Sequence, residues 1–131
     1  LNFFLPSYEE AIPLSGLPDG TSPEKIAEVF FRKGVGSVII KWGKHGCYAQ
    51  ESAQSPGNYL PTYTNIQVVD TTGAGDSFCS GFLAAYSRGE TFVDCARFAN
   101  AAGSHCVMAR GATTGMKSYE EIKAFMEANP L

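Results

Sequence analysis

The chain has 131 residues, which is enough for one domain of ordinary size with a sizeable core. Its composition, 44% hydrophobic and 18% charged, is that of a globular protein, and a net charge of −3 without long single-sign runs argues against nucleic-acid binding. No apolar stretch approaches the roughly 18 residues of a membrane span, and the start of the chain does not resemble a signal peptide, so we expect no membrane partner.

The cysteines predict a redox setting rather than a disulfide framework. None of them shows CxxC spacing, and three fall inside apolar helical patterns where buried thiols are common; the four are Cys47, Cys79, Cys95 and Cys106. This pattern favours a reduced, cytoplasmic setting. The chain also begins with Leu1, inside what reads as a strand, which favours a piece of a longer protein.

The first half of the chain predicts strands and helices in alternation. Residues 2–5 read as a short buried strand, and residues 8–14 as a short helical turn, because Pro13 argues against a long helix. A capping serine, a proline at the first helical position and an acid in the first turn then open a helix that runs from Ser22 to Gly34.

A hairpin and a loop follow that helix. The apolar run SVIIKW at 37–42 predicts a buried strand, and residues 47–50 can return beside it across the turn KHG. Residues 51–65 are rich in Pro, Gly, Ser and Asn, which indicates a loop with at most edge-strand character. A further strand is predicted around 66–69.

Three helices are predicted in the second half. Residues 74–88 are rich in small residues and apolar almost all round, which predicts a central helix. The next helix shows one clear apolar face, formed by Phe92, Ala96, Ala99, Gly103 and Cys106. In the last helix, Ser118 and Glu121 form a capping box. Strands that alternate with helices indicate an α/β layer structure.

The sequence VVDTTGAGDSF at 68–78 carries the chemistry. Glycine-rich turns between a strand and a helix usually cradle an anion, yet a carboxylate, Asp76, stands in this one. A Walker A loop would need a Lys after the second glycine, and none is there. A dinucleotide fingerprint would need a glycine where Phe78 stands, and it would place Asp76 against the pyrophosphate.

Phosphoryl transfer accounts for both the glycines and the acid. The backbone N–H groups of Gly73, Ala74 and Gly75 could hold the charge that develops during the reaction, while Asp76 takes a proton from the attacking hydroxyl. The alternative is that Asp76 only occupies the first turn of a helix, where the macrodipole favours an acid. The motif alone leaves both interpretations open.

The longer string DTTGAGDSFCSGF at 70–82 resembles the C-terminal signature of the PfkB, or ribokinase-like, family of carbohydrate kinases. Similar resemblances extend over most of the chain, in LPSYEEA at 5–11, KWGKHG at 41–46, FANAAG at 98–103 and ARGA at 109–112. The resemblance implies a ribokinase-like three-layer αβα sandwich. Residues 1–131 would be its C-terminal ATP-binding and catalytic-base portion, with the sugar-binding and lid region outside the chain.

The activity implied by this resemblance is ATP-dependent transfer of the γ-phosphoryl group to a sugar hydroxyl. Asp76 would be the general base, and the backbone from Gly73 to Asp76 would form the anion hole. Lys41 would contact a phosphate, although a lysine at the end of a strand is more often solvated than functional. The residues that would contact ATP are Lys41, Gly43, Gly46, Thr72, Gly73, Gly75 and Asn100.

The resemblance also implies Mg²⁺ and K⁺ as cofactors. Glu10 matches the glutamate that acts on the water network between Mg²⁺ and the phosphates, although Ser7 stands where the family motif has Asn. The K⁺ ligands would be Asp70 and Thr72 with main-chain oxygens around Cys106, Ala109 and Gly111. Gly115 stands where several members have a serine ligand.

Other interpretations stay open at this stage. The acceptor could be a nucleoside, because nucleoside kinases share the signature, or the chain could be a nucleotide-binding member without turnover. The sequence does not identify the small-molecule substrate, and a homodimer of the complete protein is left open. Trp42, Tyr48 and His105 are expected to pack, and His45 to lie on the surface of a turn.

Overall fold

The structure is a computed structural model that describes residues 3–63, 73–108 and 119–131. The chain divides into two compact units, Leu1–Leu60 and Pro61–Leu131. The predicted strand at 66–69 and the Ser118 half of the predicted capping box lie outside the described residues. Within the described ranges, no helix is long and apolar enough to cross a membrane.

The first unit contains a four-stranded mixed sheet in the order β1-β2-β3-β4. β1 and β2 are parallel, and β3 and β4 follow antiparallel, so the predicted hairpin is confirmed and the predicted edge character of the following loop is realised by β4. The strands are β1 at Phe3–Phe4, β2 at Ser37–Lys41, β3 at Cys47–Gln50 and β4 at Asn58–Leu60.

Two helices of the first unit begin at capping serines. α1 spans Tyr8–Ser15 and is short, as Pro13 predicts, because the proline lies only two residues before its end. α2 spans Pro23–Arg32, and the side chain of Ser22 accepts a hydrogen bond from the backbone N–H of Lys25. The helix start predicted from the cap and the proline is therefore confirmed.

The core of the first unit lies between these helices and the sheet. Ile26 and Phe30 of α2 are buried together with Val38 and Ile40 of β2. The ring of Phe4 meets that of Phe30 edge to face, with centroids 4.7 Å apart. The first four residues of β2 are all buried, which is what its uninterrupted apolar run predicts.

The described part of the second unit contains three helices. α3 spans Ala74–Ser87, α4 spans Phe92–Val107 and α5 spans Tyr119–Ala128. The apolar face predicted for α4 is confirmed, because four of its five residues are buried and the fifth, Gly103, is half-buried. The four cysteines of the chain form no disulfide, as their spacing predicts.

The prediction that α3 is a central helix is wrong for the described part of the chain. The helix buries Phe78 and Phe82 on one side, whereas Leu83 and Tyr86 are exposed. Its small residues instead allow α3 to approach α4 closely. A Cβ atom added to Gly81 would lie 2.8 Å from the Cβ of Ala102, which is closer than two carbon atoms can pack.

Glu90, in the turn between α3 and α4, anchors α5. Its carboxylate accepts hydrogen bonds from the hydroxyl of Tyr119 and, at 3.0 Å, from the ammonium of Lys123. The guanidinium of Arg88 lies 3.8 Å from the centre of the Tyr119 ring. The hydrogen bond to Glu90 raises the pKa of Tyr119, because it is donated by the neutral phenol.

The hydroxyl of Tyr8 ties the loop after α1 back onto the helix. It donates a hydrogen bond to the carbonyl of Thr21 at 2.8 Å and accepts one from the N–H of Gly20 at 3.1 Å. The ring of Tyr8 also stacks on Trp42, with centroids 5.3 Å apart. The sequence did not indicate this role, because the partners lie 12 and 13 residues away.

We expect Tyr8→Phe to lower the free energy of unfolding by about 1–2 kcal/mol, because it keeps the stacked ring but leaves two backbone groups without their partner. Urea unfolding of the purified protein measures the change, with an unaltered m value. Tyr59→Phe is the matched control, since that side chain is 52% exposed. Equal stability of the two variants would contradict this role of Tyr8.

Candidate active site

Among the described residues, no side chain caps the N-terminus of α3. Gly73, the residue before the helix, has φ 80° and ψ 2°, a left-handed conformation that residues with a side chain rarely adopt. It supplies no side-chain hydrogen bond to the helix end. The first N–H groups of an α-helix have no partner within the helix. Those at Ala74, Gly75 and Asp76 can therefore meet an anion.

Asp76 lies in the first turn of α3 with its side chain exposed. The first helical hydrogen bond runs from the N–H of Ser77 to the carbonyl of Gly73 at 2.9 Å, so the helix begins where the motif predicts. The structure thus brings the backbone N–H groups of a glycine-rich turn and one carboxylate together at the N-terminus of one helix. Such a site can stabilise negative charge and accept a proton within the same turn.

In the first unit, the carboxyl ends of β1 and β2 bring Glu10 and Lys41 to the same edge of the sheet. The N–H of Lys41 donates to the carbonyl of Pro6 at 2.9 Å, and Ser7 pairs with Lys41 in a parallel bridge. The carboxyl ends of parallel strands are the edge at which α/β proteins usually bind ligands. Glu10, predicted to act on the waters around Mg²⁺, and Lys41, predicted to contact ATP, therefore share this edge.

The carboxylate of Glu10 forms a capping box with Ser7. It accepts a hydrogen bond from the N–H of Ser7 at 2.9 Å, and the Ser7 hydroxyl accepts one from the N–H of Glu10 at 3.2 Å. The pKa of Glu10 is lowered, first by the backbone hydrogen bond from Ser7, then by the serine hydroxyl, with a smaller contribution from the charge of Lys41. The ionised form that Mg²⁺-bound water would contact is thereby favoured.

The predicted nucleotide-side glycines lie in the turn that closes the hairpin. A short 3₁₀ turn spans Gly43–His45, and the N–H of Trp42 donates to the carbonyl of Gly46 at 2.8 Å. The ring of His45 lies over that of Trp42, with centroids 4.6 Å apart. His45 is exposed, as expected for the surface of a turn, and Trp42 packs as expected.

Asn100 and Ser104 of α4 hold the chain segment that enters the second unit. The amide of Asn100 is 6% exposed and donates to the carbonyl of Pro61 at 3.3 Å. The hydroxyl of Ser104 lies 3.1 Å from that of Thr62. Sequence analysis missed these contacts because the partners are 39 and 42 residues apart. A contact between Asn100 and the adenine ring stays a prediction.

Most of the predicted K⁺ site lies outside the described residues, namely Asp70, Thr72, Ala109 and Gly111. Cys106 is described and is fully buried in the last turn of α4. In the ranges that the structure describes, no group of three or more His, Cys, Asp or Glu side chains could hold a metal ion. The ring of His105 meets that of Phe125 edge to face at 5.0 Å, as expected for a packing residue.

A groove of about 520 Å³ runs beside α2 in the first unit and contains none of the predicted site residues. It lies between the loop after α1 and the outer side of α2, where Lys25, Glu28 and Arg32 project.

Comparison with known proteins identifies the family. The family model of the pfkB family carbohydrate kinases matches residues 2–118. The chain belongs to this family. The resemblance inferred from the motif at 70–82 is thereby confirmed.

Individual relatives agree with this assignment. The chain is 32% identical to the 2-dehydro-3-deoxygluconokinase of Bacillus subtilis over 127 residues, which are 97% of the chain and 38% of the relative. It is 36% identical to a nucleoside kinase of Methanothermobacter thermautotrophicus over 93 residues, or 70% of the chain and 29% of the relative. The solved structure of Arabidopsis thaliana ribokinase complexed with ribose and ATP matches with a TM-score of 0.86 and 31% identity, over 97% of the chain and 41% of that protein.

The structural match confirms the predicted α/β, ribokinase-like fold. The chain spans less than half of the length of each of these relatives. The activity, substrates and partners of the whole protein are therefore proposals, and the residues of the matched part support them.

The lowered pKa of Glu10 predicts a pH-dependent contribution to stability. Because the folded-state pKa lies below the ordinary value of 4.5, the carboxylate stabilises the fold above that pH, and this contribution is lost as the pH falls through the folded-state pKa. We expect wild type to be more stable than Glu10→Gln at about pH 7, and the difference to disappear in acid.

Thermal unfolding midpoints measured across this pH range test the expectation. Glu9→Gln is the control for the loss of one negative charge from the same helical turn. A difference between wild type and Glu10→Gln that stays constant from neutral to acidic pH would show that the contact with Ser7 does not depend on the charge of Glu10.

Proposed function

We propose that the complete protein is an ATP-dependent kinase that transfers the γ-phosphoryl group of ATP to a hydroxyl group of a sugar. The observation that carries this proposal is the N-terminus of α3, where the first backbone N–H groups, which no described side chain caps, and the exposed carboxylate of Asp76 share one turn. Membership of the carbohydrate kinase family supports it. The ribokinase that the chain resembles binds ribose and ATP.

The proposed chemistry assigns one task to each part of this turn. The oxygen of the acceptor hydroxyl attacks the γ-phosphorus, the bond from that phosphorus to the bridging oxygen of ADP breaks, and Asp76 takes the hydroxyl proton. The N–H groups from Gly73 to Asp76 face the negative charge that builds up on the transferring group and on the leaving oxygen. An exposed aspartate suits this task because the acceptor must reach it.

Lys41, Gly43 and Gly46 are proposed to contact ATP, as are Thr72, Gly73, Gly75 and Asn100. Lys41 lies at the carboxyl end of β2, and the glycines lie in the adjoining turn. Their small size would let the backbone approach a nucleotide closely. Residues 1–131 would thus be the C-terminal ATP-binding and catalytic-base portion of the kinase, with the sugar-binding and lid region in the remainder of the protein.

The metal ions are part of this proposal. Glu10 is exposed, and its lowered pKa keeps it ionised, which suits a contact with the waters around Mg²⁺. Mg²⁺, when bound, would neutralise charge on the phosphates. K⁺ is proposed to bind near Asp70, Thr72 and the main chain around Cys106, Ala109 and Gly111. Oxygen ligands of this kind suit a hard cation.

The alternative is a nucleoside acceptor, which the similarity to a nucleoside kinase supports. The two candidates differ in the acceptor alone, since both would use the same turn of α3. Assaying ATP-dependent phosphorylation by the purified complete protein over a panel of sugars and nucleosides separates them. Turnover with nucleosides alone would replace the sugar in the proposal. ATP binding without turnover on any acceptor would indicate a non-catalytic member.

Asp76→Asn is expected to lower turnover by about 10²- to 10⁴-fold and to leave ATP affinity almost unchanged, because it removes the base and keeps the N–H groups. Asp94→Asn is a matched control. Asp94 is also the third residue of its helix, α4, and is also exposed. Steady-state kinetics with turnover within a few-fold of wild type for Asp76→Asn would remove Asp76 from the role of base.

Replacing K⁺ by a bulky organic cation is expected to lower activity, because the cation near Asp70 and Thr72 would shape the anion hole without contacting the acceptor. The comparison is made at constant ionic strength, so that screening of surface charge does not differ between the buffers. Equal turnover in the two buffers would rule out a role for the monovalent cation.

A further inference from the structure

Gly103 lies inside α4, where a glycine weakens the helix. Alanine is a much better helix former, and an isolated glycine in a helical pattern usually has a packing or functional reason. The helix continues for a further turn after it, to Val107, so Gly103 is not a helix end. The atoms that surround Gly103 therefore indicate why a glycine stands at this position.

Gly103 faces the first residue of α3. A Cβ atom added to Gly103 would lie 3.3 Å from the carbonyl oxygen of Ala74 and 3.9 Å from the Cβ of Phe78. The first of these distances is tighter than nearly all real Cβ contacts, so the carbonyl would have to move by a few tenths of an ångström. The second is an ordinary contact. A methyl group at position 103 would therefore press on one backbone oxygen.

The carbonyl of Ala74 and the N–H of Gly75 belong to the same peptide unit. That unit is planar and rigid, so a force on its oxygen also moves its N–H. The N–H of Gly75 is one of the first donors of α3, which have no partner within the helix. Gly103 thus controls, through one peptide plane, where this donor lies.

We propose that Gly103 is a positioning residue for the anion hole: its missing side chain leaves the peptide unit of Ala74 and Gly75 in the place from which the Gly75 N–H meets the transferring phosphoryl group. This inference rests on the proposed function of the α3 end. It gives α4 a second task beside packing, because the helix sets the position of a donor in the site.

Gly81 provides the contrast. Gly81 lies two turns after the start of α3. A Cβ atom there would lie 2.8 Å from the Cβ of Ala102 and 3.4 Å from the Cα of Ala99. Both of these atoms belong to α4, and neither contacts the first turn of α3 through this position. Gly81 is therefore a packing glycine, and Gly81→Ala should lower the stability of the protein.

Gly103→Ala in the complete protein tests the inference. A donor displaced by a few tenths of an ångström loses part of its effect, so we expect kcat to fall by about 3- to 30-fold, less than the roughly 10²- to 10³-fold loss of a deleted donor. The KM for ATP should stay within about two-fold, because the donor matters most in the transition state. The thermal midpoint should be unchanged or higher, since alanine favours the helix.

The thermal midpoint and kcat of Gly103→Ala are compared with those of wild type, Gly81→Ala and Asp76→Asn. Calorimetric titration with ATP gives the binding-competent fraction, to which kcat is normalised. If Gly103→Ala lowers the thermal midpoint as Gly81→Ala is expected to do, or fails to fold, Gly103 is a packing glycine and the inference is overturned. If its normalised kcat equals that of wild type while Asp76→Asn is inactive, the inference is wrong and the proposed function stands. Full turnover of Asp76→Asn would overturn both.

Discussion

The backbone N–H groups at the start of α3, which have no partner within the helix, are the constraint on which the proposed site depends. Every α-helix begins with such groups, and most helices satisfy them with a side chain at the position before the helix, as Thr91 does for α4 and Ser22 for α2. The residue before α3 is instead Gly73, which has no side chain and a left-handed backbone conformation. In the proposed function these donors face the transferring phosphoryl group. Asp76 in the same turn fits the proposal that proton and anion are handled side by side, although the helix dipole also favours an acid at this position.

The first unit uses the ends of its elements in a similar way. Ser7 and Glu10 satisfy the start of α1 reciprocally, and the same contacts lower the pKa of the carboxylate. Lys41 ends β2 at the edge where Ser7 pairs with it. A single local arrangement therefore stabilises a helix and prepares a charged residue at the carboxyl ends of parallel strands. The hydroxyl of Ser7 is the cap of α1.

Short-range signals made much of the fold predictable from the sequence. The cap and proline at Ser22 and Pro23, the apolar run of β2 and the spacing along α4 are local patterns, and each predicted element is confirmed. The burial of α3 was misjudged, because small residues can serve close packing against one helix as well as burial on all sides. Contacts between distant residues gave no sequence signal, as with Glu90 and Tyr119, 29 residues apart. The role proposed for Asp76 came from a long motif, and its proposed chemistry from the expectation that a carboxylate repels an anion held in the same turn.

The geometry of the trapped transition state tests the central claim most directly. A crystal structure of the complete protein with MgADP, aluminium fluoride and the best acceptor sugar would show where charge and proton are held. The account predicts fluorine atoms about 2.7–3.1 Å from the N–H nitrogens of the first turn of α3, and a carboxylate oxygen of Asp76 about 2.6–3.2 Å from the acceptor hydroxyl. A fluoride group held elsewhere, with the first turn of α3 solvated and Asp76 out of reach of the acceptor, would contradict it.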